Sequence, residues 1–174
     1  MNGTLEQTSA GPRLRFTRRL AHPPAKVWRA VTEPEHLAAW FPDTIVVERW
    51  EVGAPLRFEH APVPGGGFDG EVLAFEPESL VELRWGNDVI RLELEPDGDG
   101  TRLTLLDTID ELGKAARDGA GWHVCLDHLE HHLDGTRPPW SPSDRWREVH
   151  ASYVEQLGPE AATIGPPEGA LDDR

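Results

Sequence analysis

Residues 119–135 read GAGWHVCLDHLEHHLDG, and this run decides the fold. Its large apolar residues recur at positions i, i+4, i+7 and i+11, which lie on one face of a helix. They are Trp122, Leu126, Leu129 and Leu133. A helix with such a stripe must bury it against another element. The run therefore predicts a long amphipathic helix that covers a surface supplied by the rest of the chain.

That surface is predicted from residues 44–108, where apolar and polar residues alternate. Six strand candidates, IVVERW, PLRFEH, FDGEVLAFE, LVELRW, VIRLELE and TRLTLLDT, are separated by short turns rich in glycine, proline, asparagine and aspartate. Short turns join antiparallel neighbours, and RLRFTRRLA near the amino end predicts one more strand. In LVELRW, Val81 and Leu83 share one face while Glu82 and Arg84 share the other. We therefore predict an α+β fold in which a curved antiparallel sheet of about seven strands wraps its dry face around the long helix.

Three further helices are expected. AKVWRAVT and EPEHLAAWF, each introduced by proline, predict two short helices directly after the first strand. The cap-like SPSD begins an extra C-terminal helix over residues 141–157. We expect this helix to pack outside the main core, with an exposed stripe of Trp146, Val149 and Tyr153 that would suit a homodimer contact.

The domain boundaries follow from composition. Residues 1–12 are small and polar, which predicts a flexible N-terminus. Residues 13–157 form a single domain that includes the extra helix. Residues 158–174 combine proline, glycine and acidic groups, which predicts a flexible acidic tail.

Composition excludes several classes of partner. The chain has 174 residues and a formal net charge of −14, so nucleic acid and anionic membrane surfaces are unfavourable partners. No apolar run approaches the roughly 18 residues that a membrane helix needs, and no secretory signal is recognisable. A single cysteine, Cys125, fits a reducing compartment. We therefore predict a cytoplasmic location, with neither nucleic acid nor a membrane as partner.

Three segments together resemble a known family: RFTRRLAHPPAKVWRAVTEPEHLAAWF, GEVLAFEPESLVELRW and GWHVCLDHLEHHLDG, in this order. They are similar to the START-like (SRPBCC) superfamily, and within it to the branch named for the activator of Hsp90 ATPase homolog 1. The resemblance implies the helix-grip fold, in which a sheet encloses a long C-terminal helix. Members of this superfamily are lipid and polyketide binders, cyclases and co-chaperone domains, so the resemblance implies a fold and leaves the activity open.

A metal site is one interpretation of the long helical run. Cys125, His128 and His132 are spaced i, i+3 and i+7, and three such ligands could hold zinc or copper. The family pattern supplies no metal motif here. We favour the simpler interpretation that Cys125 is a small buried apolar residue and that the histidines are stabilised by the helix dipole, and we predict no metal or other cofactor.

Acid–base chemistry is a second interpretation of the same run. Asp127 lies four residues from both His123 and His131, and such a carboxylate can orient an imidazole for proton transfer. No nucleophile motif accompanies them, and solvated i,i+4 pairs explain the spacing equally well. We therefore predict no catalytic residue. The glycines of PVPGGGFDG are expected to form a flexible hairpin tip, which the resemblance would place near the mouth of a cavity.

A cavity between the sheet and the long helix would have aromatic and aliphatic walls suited to an apolar or aromatic small molecule. The predicted lining residues are Trp28, Trp40, Phe58, Leu83, Trp85, Leu92, Trp122 and Leu126. Arg57, His60 or Asp107 could orient such a ligand. The same aromatic residues could instead simply complete the core, because buried aromatic side chains dominate ordinary cores as well.

The leading functional hypothesis is a non-enzymatic domain that encloses an apolar small molecule. A first alternative, implied by the family name, is a protein-binding module that acts on an Hsp90-type chaperone. A second is a polyketide cyclase-like or hydrolase-like enzyme that uses an ionisable side chain in the cavity, which would need a perturbed pKa.

Overall fold

The computed structural model describes residues 2–59 and 66–166 of the chain. Eight antiparallel strands form one open sheet in the order β1-β2-β8-β7-β6-β5-β4-β3. The strands are β1 (Thr4–Thr8), β2 (Gly11–Leu20), β3 (Thr44–Val47), β4 (Pro55–Glu59), β5 (Phe68–Glu76), β6 (Leu80–Trp85), β7 (Asp88–Asp97) and β8 (Gly100–Thr108). The six strands predicted between residues 44 and 108 are all present, and the sheet has one strand more than expected.

The additional strand is β1, which forms in a segment predicted to be flexible. Thr4 pairs with Arg15 and Thr8 with Gly11, across a tight turn that Gly11 permits with φ +126°. Glu6 binds both Arg13 and Arg15, at 2.7 Å and 2.6 Å. The prediction of a flexible segment was therefore wrong for residues 4–8, because a polar segment can still be held by backbone pairing to an edge strand.

The helices follow the predicted order. Helix α1 (Pro24–Thr32) and the four-residue α2 (Pro34–Leu37) come directly after β2, and both begin at a proline. Helix α3 (Ala115–Asp134) is the long helix, and it begins about one turn before the run that predicted it. It ends where Gly135 adopts φ +66°, a left-handed conformation that favours glycine.

Helix α3 lies across the inner face of the sheet, as predicted. Its stripe of Trp122, Leu126, Leu129 and Leu133 is buried within the main core cluster. Burying each of these leucine side chains contributes roughly 2 kcal/mol in transfer free energy. The helix-grip fold is therefore confirmed.

Helix α4 (Pro142–Leu157) differs from the prediction. Ser141 caps its first turn by accepting a hydrogen bond from the Asp144 backbone N–H. The helix packs against α3, and the Tyr153 ring is completely buried next to Gly119, where an added Cβ would lie 3.0 Å from the ring. Val149 is also buried. The expected exposed stripe was therefore wrong, because α3 offers a second apolar flank away from the sheet. The homodimer remains a prediction, but this stripe does not supply its contact surface.

The segment after α4 is partly ordered onto the domain. A short 3₁₀ turn, Pro159–Ala162, buries Ala161, and the Ile164 N–H donates to the Gly113 carbonyl. These contacts correct the expected flexibility for residues 159–164, while residues 167–174 of the predicted tail lie outside the described residues. Within the described ranges, none of the helices has both the length and the apolar character needed to cross a membrane.

Candidate ligand-binding site

Five aromatic side chains meet between the sheet and α3, and we call them the aromatic cluster. They are Phe41, Phe58, Phe68, Trp85 and Trp122. Phe41 follows α2, the next three come from β4, β5 and β6, and Trp122 comes from α3. Ring-centroid distances run from 5.1 Å for Phe58–Phe68 to 6.3 Å for Phe41–Phe58. Such spacing is typical of directly packed aromatic pairs.

The aromatic cluster has a closed side and an open side. Phe58 is 0% exposed, Trp122 2% and Phe41 7%, so these rings form a buried floor. Phe68 and Trp85 are only half-buried, although both contact floor rings. They therefore form a partly exposed rim beside the buried floor. This edge lies at the start of β5, next to residues 60–65, which are outside the described residues.

Two buried carboxyl groups hold the indole rings of the cluster. Trp85 Nε1 donates to Asp43 Oδ2 at 2.7 Å, and Trp122 Nε1 donates to Asp107 Oδ2 at 2.8 Å. Both aspartates are almost fully buried. A buried indole N–H normally has a hydrogen-bond partner, so these bonds set the orientation of both rings.

Asp107 interrupts an otherwise apolar row of the sheet. It pairs with Leu14 on β2 and with Ile90 on β7, and the row continues through Leu83 on β6 to Val72 on β5. Directly paired residues share a face, so this carboxyl points toward α3 among aliphatic neighbours. Its Oδ1 has no hydrogen-bond partner among residues 2–59 and 66–166. Burial raises the pKa of Asp107 well above its ordinary value, and the carboxylates of Asp88 and Asp118 raise it further.

Asp107 also belongs to a group of three acids with Asp88 and Asp118. One carboxylate oxygen from each lies within 4.8 Å of the others, a spacing that a cation could bridge. Both oxygens of Asp88 already accept from Lys114, at 2.8 Å and 2.7 Å, and Arg117 binds both oxygens of Asp118. The chain's own cations thus pair with Asp88 and Asp118, whereas Asp107 accepts its hydrogen bond from the neutral Trp122 indole.

Cys125 lies one turn after Trp122 on α3 and is half-buried. Burial raises the pKa of its thiol to about 12, and the nearby Asp43 carboxylate acts in the same direction. The thiol is therefore protonated at neutral pH. It offers a weak hydrogen-bond donor and no nucleophile.

The structure divides the predicted lining residues among several environments. Phe58, Trp85 and Trp122 belong to the aromatic cluster, and Trp40 lies beside it with its ring 5.6 Å from Phe41. Trp28 lies elsewhere, 5.5 Å from Phe75, which also stacks on Trp50 at 6.0 Å; we call these three rings the outer aromatic group. The remaining predicted residues are buried in the main core cluster, namely Leu83, Leu92 and Leu126.

Sequence reasoning missed Phe41 and Phe68 as members of the cluster. Phe41 follows Trp40 at the end of the segment predicted as the second short helix. Phe68 opens β5, directly after the glycine-rich turn. The signal available for both was an aromatic residue at the junction of an element and a loop, where side chains can turn toward a cavity.

The three polar candidates also separate. Arg57 contacts Asp69 at 3.1 Å through largely exposed side chains, so it forms a surface ion pair. His60 lies outside the described residues, as does Gly65 of the predicted hairpin tip. Asp107 alone among the described candidates is directed into the interior.

The histidine groups proposed from spacing do not assemble as predicted. His128 packs against Trp140 at 5.1 Å, whereas His132 contacts His36 on α2, with 2.9 Å between ring nitrogens. The three-ligand set of Cys125, His128 and His132 thus has divergent partners. The partner that packs against each ring decides this, and spacing alone cannot.

The Asp127 group is likewise structural. His123 Nε2 lies 3.7 Å from Asp127 Oδ2, while His131 binds Thr136. Asp127 receives a hydrogen bond from Arg145 Nε at 3.0 Å. Burial lowers the pKa of His123 to about 4, which Asp127 opposes and Arg145 reinforces. His123 is therefore neutral at physiological pH, beneath α4 and away from the aromatic cluster.

The sheet order and the enclosed long helix define the chain as a helix-grip domain of the START-like class. The family model described as activator of Hsp90 ATPase homolog 1-like protein matches residues 21–134, well over half of the chain. The chain belongs to this family. None of the curated protein sequences matches it.

Several solved structures share the fold. A conserved protein of unknown function from Enterococcus faecalis is 21% identical, with a TM-score of 0.71 over 89% of this chain and 90% of that one. CalU16 from Micromonospora echinospora is also 21% identical, with a TM-score of 0.69 over 89% and 95%. Protein MLL2253 from Mesorhizobium loti is 27% identical, with a TM-score of 0.63 over 72% and 99%. The first two likenesses extend to the fold alone.

Proposed function

We propose that this protein is a non-enzymatic binding domain that takes up an apolar or aromatic small molecule at the aromatic cluster, between the sheet and α3. The observation that carries the proposal is the contrast between the half-buried rim, Phe68 and Trp85, and the buried floor beneath it. A cluster that only completed the core would have its large rings closed on all sides. An accessible edge that leads to aromatic rings is the usual character of a site for small apolar ligands.

The arrangement of polar groups supports an apolar ligand. The indole N–H groups of Trp85 and Trp122 are occupied by Asp43 and Asp107. The rings therefore present their faces and edges to a ligand, because their hydrogen-bond donors are already bound to the aspartates. Aromatic faces bind other rings by offset or edge-to-face packing, which contributes about 0.5–1.5 kcal/mol per pair beyond area burial. A flat aromatic or polyene-like ligand fits this chemistry better than a sugar or a nucleotide.

The ionisable groups around the cluster support binding without catalysis. The Cys125 thiol is protonated, with its pKa raised to about 12 by burial. Burial raises the pKa of Asp107 well above its ordinary value, and its Oδ1 is buried without a hydrogen-bond partner among the described residues. A general acid or base must reach its substrate and exchange its proton, and neither group is placed to do both. The cyclase-like and hydrolase-like alternatives therefore receive no support from these two groups.

A cytoplasmic location accompanies this proposal, and the single cysteine of the chain supports it. The chain would then meet its ligand inside the cell. This part of the proposal is tested by fractionation of the host with an antibody against the protein. Recovery in an extracytoplasmic fraction would contradict it.

The experiment begins with protein purified from its own host without denaturation. Native mass spectrometry should show a bound mass that is lost on denaturation, and thermal-shift screening should show stabilisation by apolar aromatic compounds. A retained ligand at 100-fold excess over its Kd raises the free energy of unfolding by about 2.7 kcal/mol. Absence of both a retained mass and any shift over a chemically broad library would overturn the proposal.

A matched pair of variants locates the site. Cys125→Trp places a large ring at the half-buried edge beside the aromatic cluster and should weaken ligand binding at least ten-fold. Trp50→Phe alters the outer aromatic group, which contacts Phe75 instead, and should change the affinity less than two-fold. Equal loss of affinity in both variants would show that the ligand does not bind at the aromatic cluster. Melting temperatures of both ligand-free variants show that each is folded.

The chaperone alternative rests on the description of the matching family. It predicts that the protein stimulates the ATPase of the host's Hsp90-type chaperone through a surface. In that case the Cys125→Trp variant, which changes only a half-buried residue beside the aromatic cluster, should stimulate the ATPase as strongly as the wild type does. ATPase stimulation without any ligand binding would favour the chaperone-binding module over the proposed ligand-binding domain.

A further inference from the structure

A second site lies where the end of α3 meets α1 and α2. A cleft of about 470 Å³ opens there. Its lining includes Lys26 and Arg29 from α1, His36 from α2, and His132 and Asp134 from α3. The outstanding feature is a direct contact between two imidazole rings: His36 Nδ1 lies 2.9 Å from His132 Nε2.

We propose that His36 and His132 bind a divalent late transition metal ion, of the Cu²⁺ or Ni²⁺ kind, in two adjacent coordination positions at this cleft. The inference is independent of the ligand proposed for the aromatic cluster. Two nitrogens each about 2.0–2.1 Å from one ion and 2.9 Å from each other subtend about 90° at the ion. Square-planar and octahedral ions present adjacent ligands at this angle, and nitrogen ligands in such geometry are typical of Cu²⁺ and Ni²⁺.

The surroundings of His36 prepare its Nδ1 as a ligand atom. Its other nitrogen, Nε2, lies 3.3 Å from Glu33 Oε2. A carboxylate at this distance favours the tautomer with the proton on Nε2, which leaves the lone pair on Nδ1 directed at His132. A carboxylate behind the distal nitrogen of a metal-binding histidine is a common supporting arrangement.

His132 is also suited to bind a cation. Its Nε2 faces the His36 ring at 2.9 Å and its ring is half-buried, so this nitrogen is placed to share a ligand with His36 Nδ1. In the metal-free pair, His132 Nε2–H donates to His36 Nδ1. On binding, that proton moves to Nδ1 of the His132 ring, and the two rings turn so that both lone pairs meet the ion beside the line that joins the nitrogens. Binding to the neutral pair therefore releases no net proton.

The positive and negative side chains that face the His36–His132 pair are nearly equal in number. These are Lys26 and Arg29 of α1 and Glu33 between α1 and α2, and Arg29 is paired with Glu33 at 3.0 Å. Lys26 Nζ donates to the Leu133 carbonyl at 2.6 Å, where it caps α3. Glu35 of α2, His22 before α1 and Asp134 of α3 complete the set, and His22 binds Asp134 at 2.7 Å. The pair also lies at the carboxyl end of α3, where the helix dipole favours positive charge.

The cleft supplies what two histidines alone lack. An ion held in two positions needs further ligands, and a cleft of about 470 Å³ beside the pair has room for several waters or for a small chelating molecule. Both rings are half-buried, so the pair is reachable from solvent. A bound ion would link α2 to α3, two helices that lie 96 residues apart in the chain at this contact.

The test uses protein without an affinity tag and Cu²⁺ alone as the probe. Titration calorimetry should show one tight site with a heat that is independent of buffer ionisation, and the electron paramagnetic resonance spectrum should show superhyperfine coupling to two nitrogens. His36→Gln and His132→Gln should each weaken binding at least ten-fold and remove one coupled nitrogen. Glu33→Gln should weaken binding about ten-fold and keep both nitrogens, as expected for a supporting group.

The matched controls are His128→Gln and His131→Gln, on the same helix, where both rings contact Trp140. These variants should bind Cu²⁺ within two-fold of the wild type. Loss of a coupled nitrogen in His128→Gln with retention in His36→Gln would place the second ligand on α3 itself and overturn the proposal. Equal binding by the wild type and the His36→Gln/His132→Gln double variant would overturn it as well. Circular dichroism of each variant confirms the fold.

Discussion

Trp85 on the sheet and Trp122 on α3 pack with ring centroids 5.5 Å apart, and each donates its indole N–H to a different buried aspartate. The pair joins the sheet to α3 by ring packing, and each indole is also held by its own hydrogen bond to an aspartate. Because neither ring can rotate without losing its acceptor, the shape of the aromatic cluster is set before any ligand arrives. Such preorganisation lowers the entropy that binding would otherwise cost.

Asp107→Asn is expected to change how stability depends on pH. The folded pKa of Asp107 is raised above its ordinary value of 3.8, so the stability of its protonated form is fully present below about pH 4 and is lost as pH rises through the folded pKa. The asparagine variant keeps an oxygen for Trp122 and has no charge to bury. Its free energy of unfolding relative to the wild type should rise with pH, by an amount on the order of a few kcal/mol. Urea unfolding between about pH 4 and 8 measures this difference, and a pH-independent difference would contradict the assignment.

Tyr153→Phe is expected to loosen β1. The Tyr153 hydroxyl accepts a hydrogen bond from the Gly3 N–H at 2.7 Å and lies 3.3 Å from His123 Nδ1. Removing this buried hydroxyl should cost about 1–2 kcal/mol. Hydrogen exchange should accelerate in residues 4–8 more than in β7. Ser152→Ala, one position away on α4, removes a bond to the Asn2 side chain and is expected to have a smaller effect.

Gly119→Ala and Gly121→Ala form a matched pair on α3 with opposite expected signs. A Cβ at Gly119 would lie 3.0 Å from Tyr153 Cδ1 and should destabilise the protein by about 1–3 kcal/mol through overpacking. A Cβ at Gly121 would meet no atom of another element within 4 Å in the described part of the chain, so the better helix propensity of alanine should stabilise the protein by about 0.5–1 kcal/mol. Thermal unfolding of both variants measures the two effects. Stabilisation by both would mean that α4 packs less closely on α3 than described.

Cys125 should react slowly with alkylating reagents. With its pKa raised to about 12, the thiol forms far less thiolate at neutral pH than an exposed cysteine. The higher nucleophilicity of that thiolate offsets part of the loss, so reaction with iodoacetamide should be slowed at least about 30-fold relative to the urea-unfolded chain. The rate should still be rising about ten-fold per pH unit near pH 10. A plateau near pH 9 would show an ordinary thiol.

Much of the fold was predictable because its signals are local. The stripe of Trp122, Leu126, Leu129 and Leu133 and the alternation within β6 each depend on residues a few positions apart, and both are confirmed. β1 was missed because its polar residues carry no such pattern, and it is held by pairing with β2. The burial of Tyr153 was missed because an apolar stripe does not say which surface covers it.

The candidate site, like the fold, combines features that local sequence patterns predict with features that they do not. Aromatic residues at Phe58, Trp85 and Trp122 were recognisable as inward-facing from strand and helix periodicity, whereas Trp28 was assigned to the same group and lies in the outer aromatic group. Asp107 was recognised only as one of three polar candidates. Its place in an apolar row follows from its pairing with Leu14, 93 positions earlier, by the register of β2 and β8.

By itself the sequence determined the order of elements, the dry face of the sheet and the helix that covers it, because periods of two and of 3.6 residues act over short stretches of chain. Only the tertiary structure decided which of seven tryptophans meet, which carboxyl lies buried among apolar neighbours and which two histidines touch. Those contacts join residues far apart in the chain, and they depend on strand register and helix packing, which no local pattern encodes.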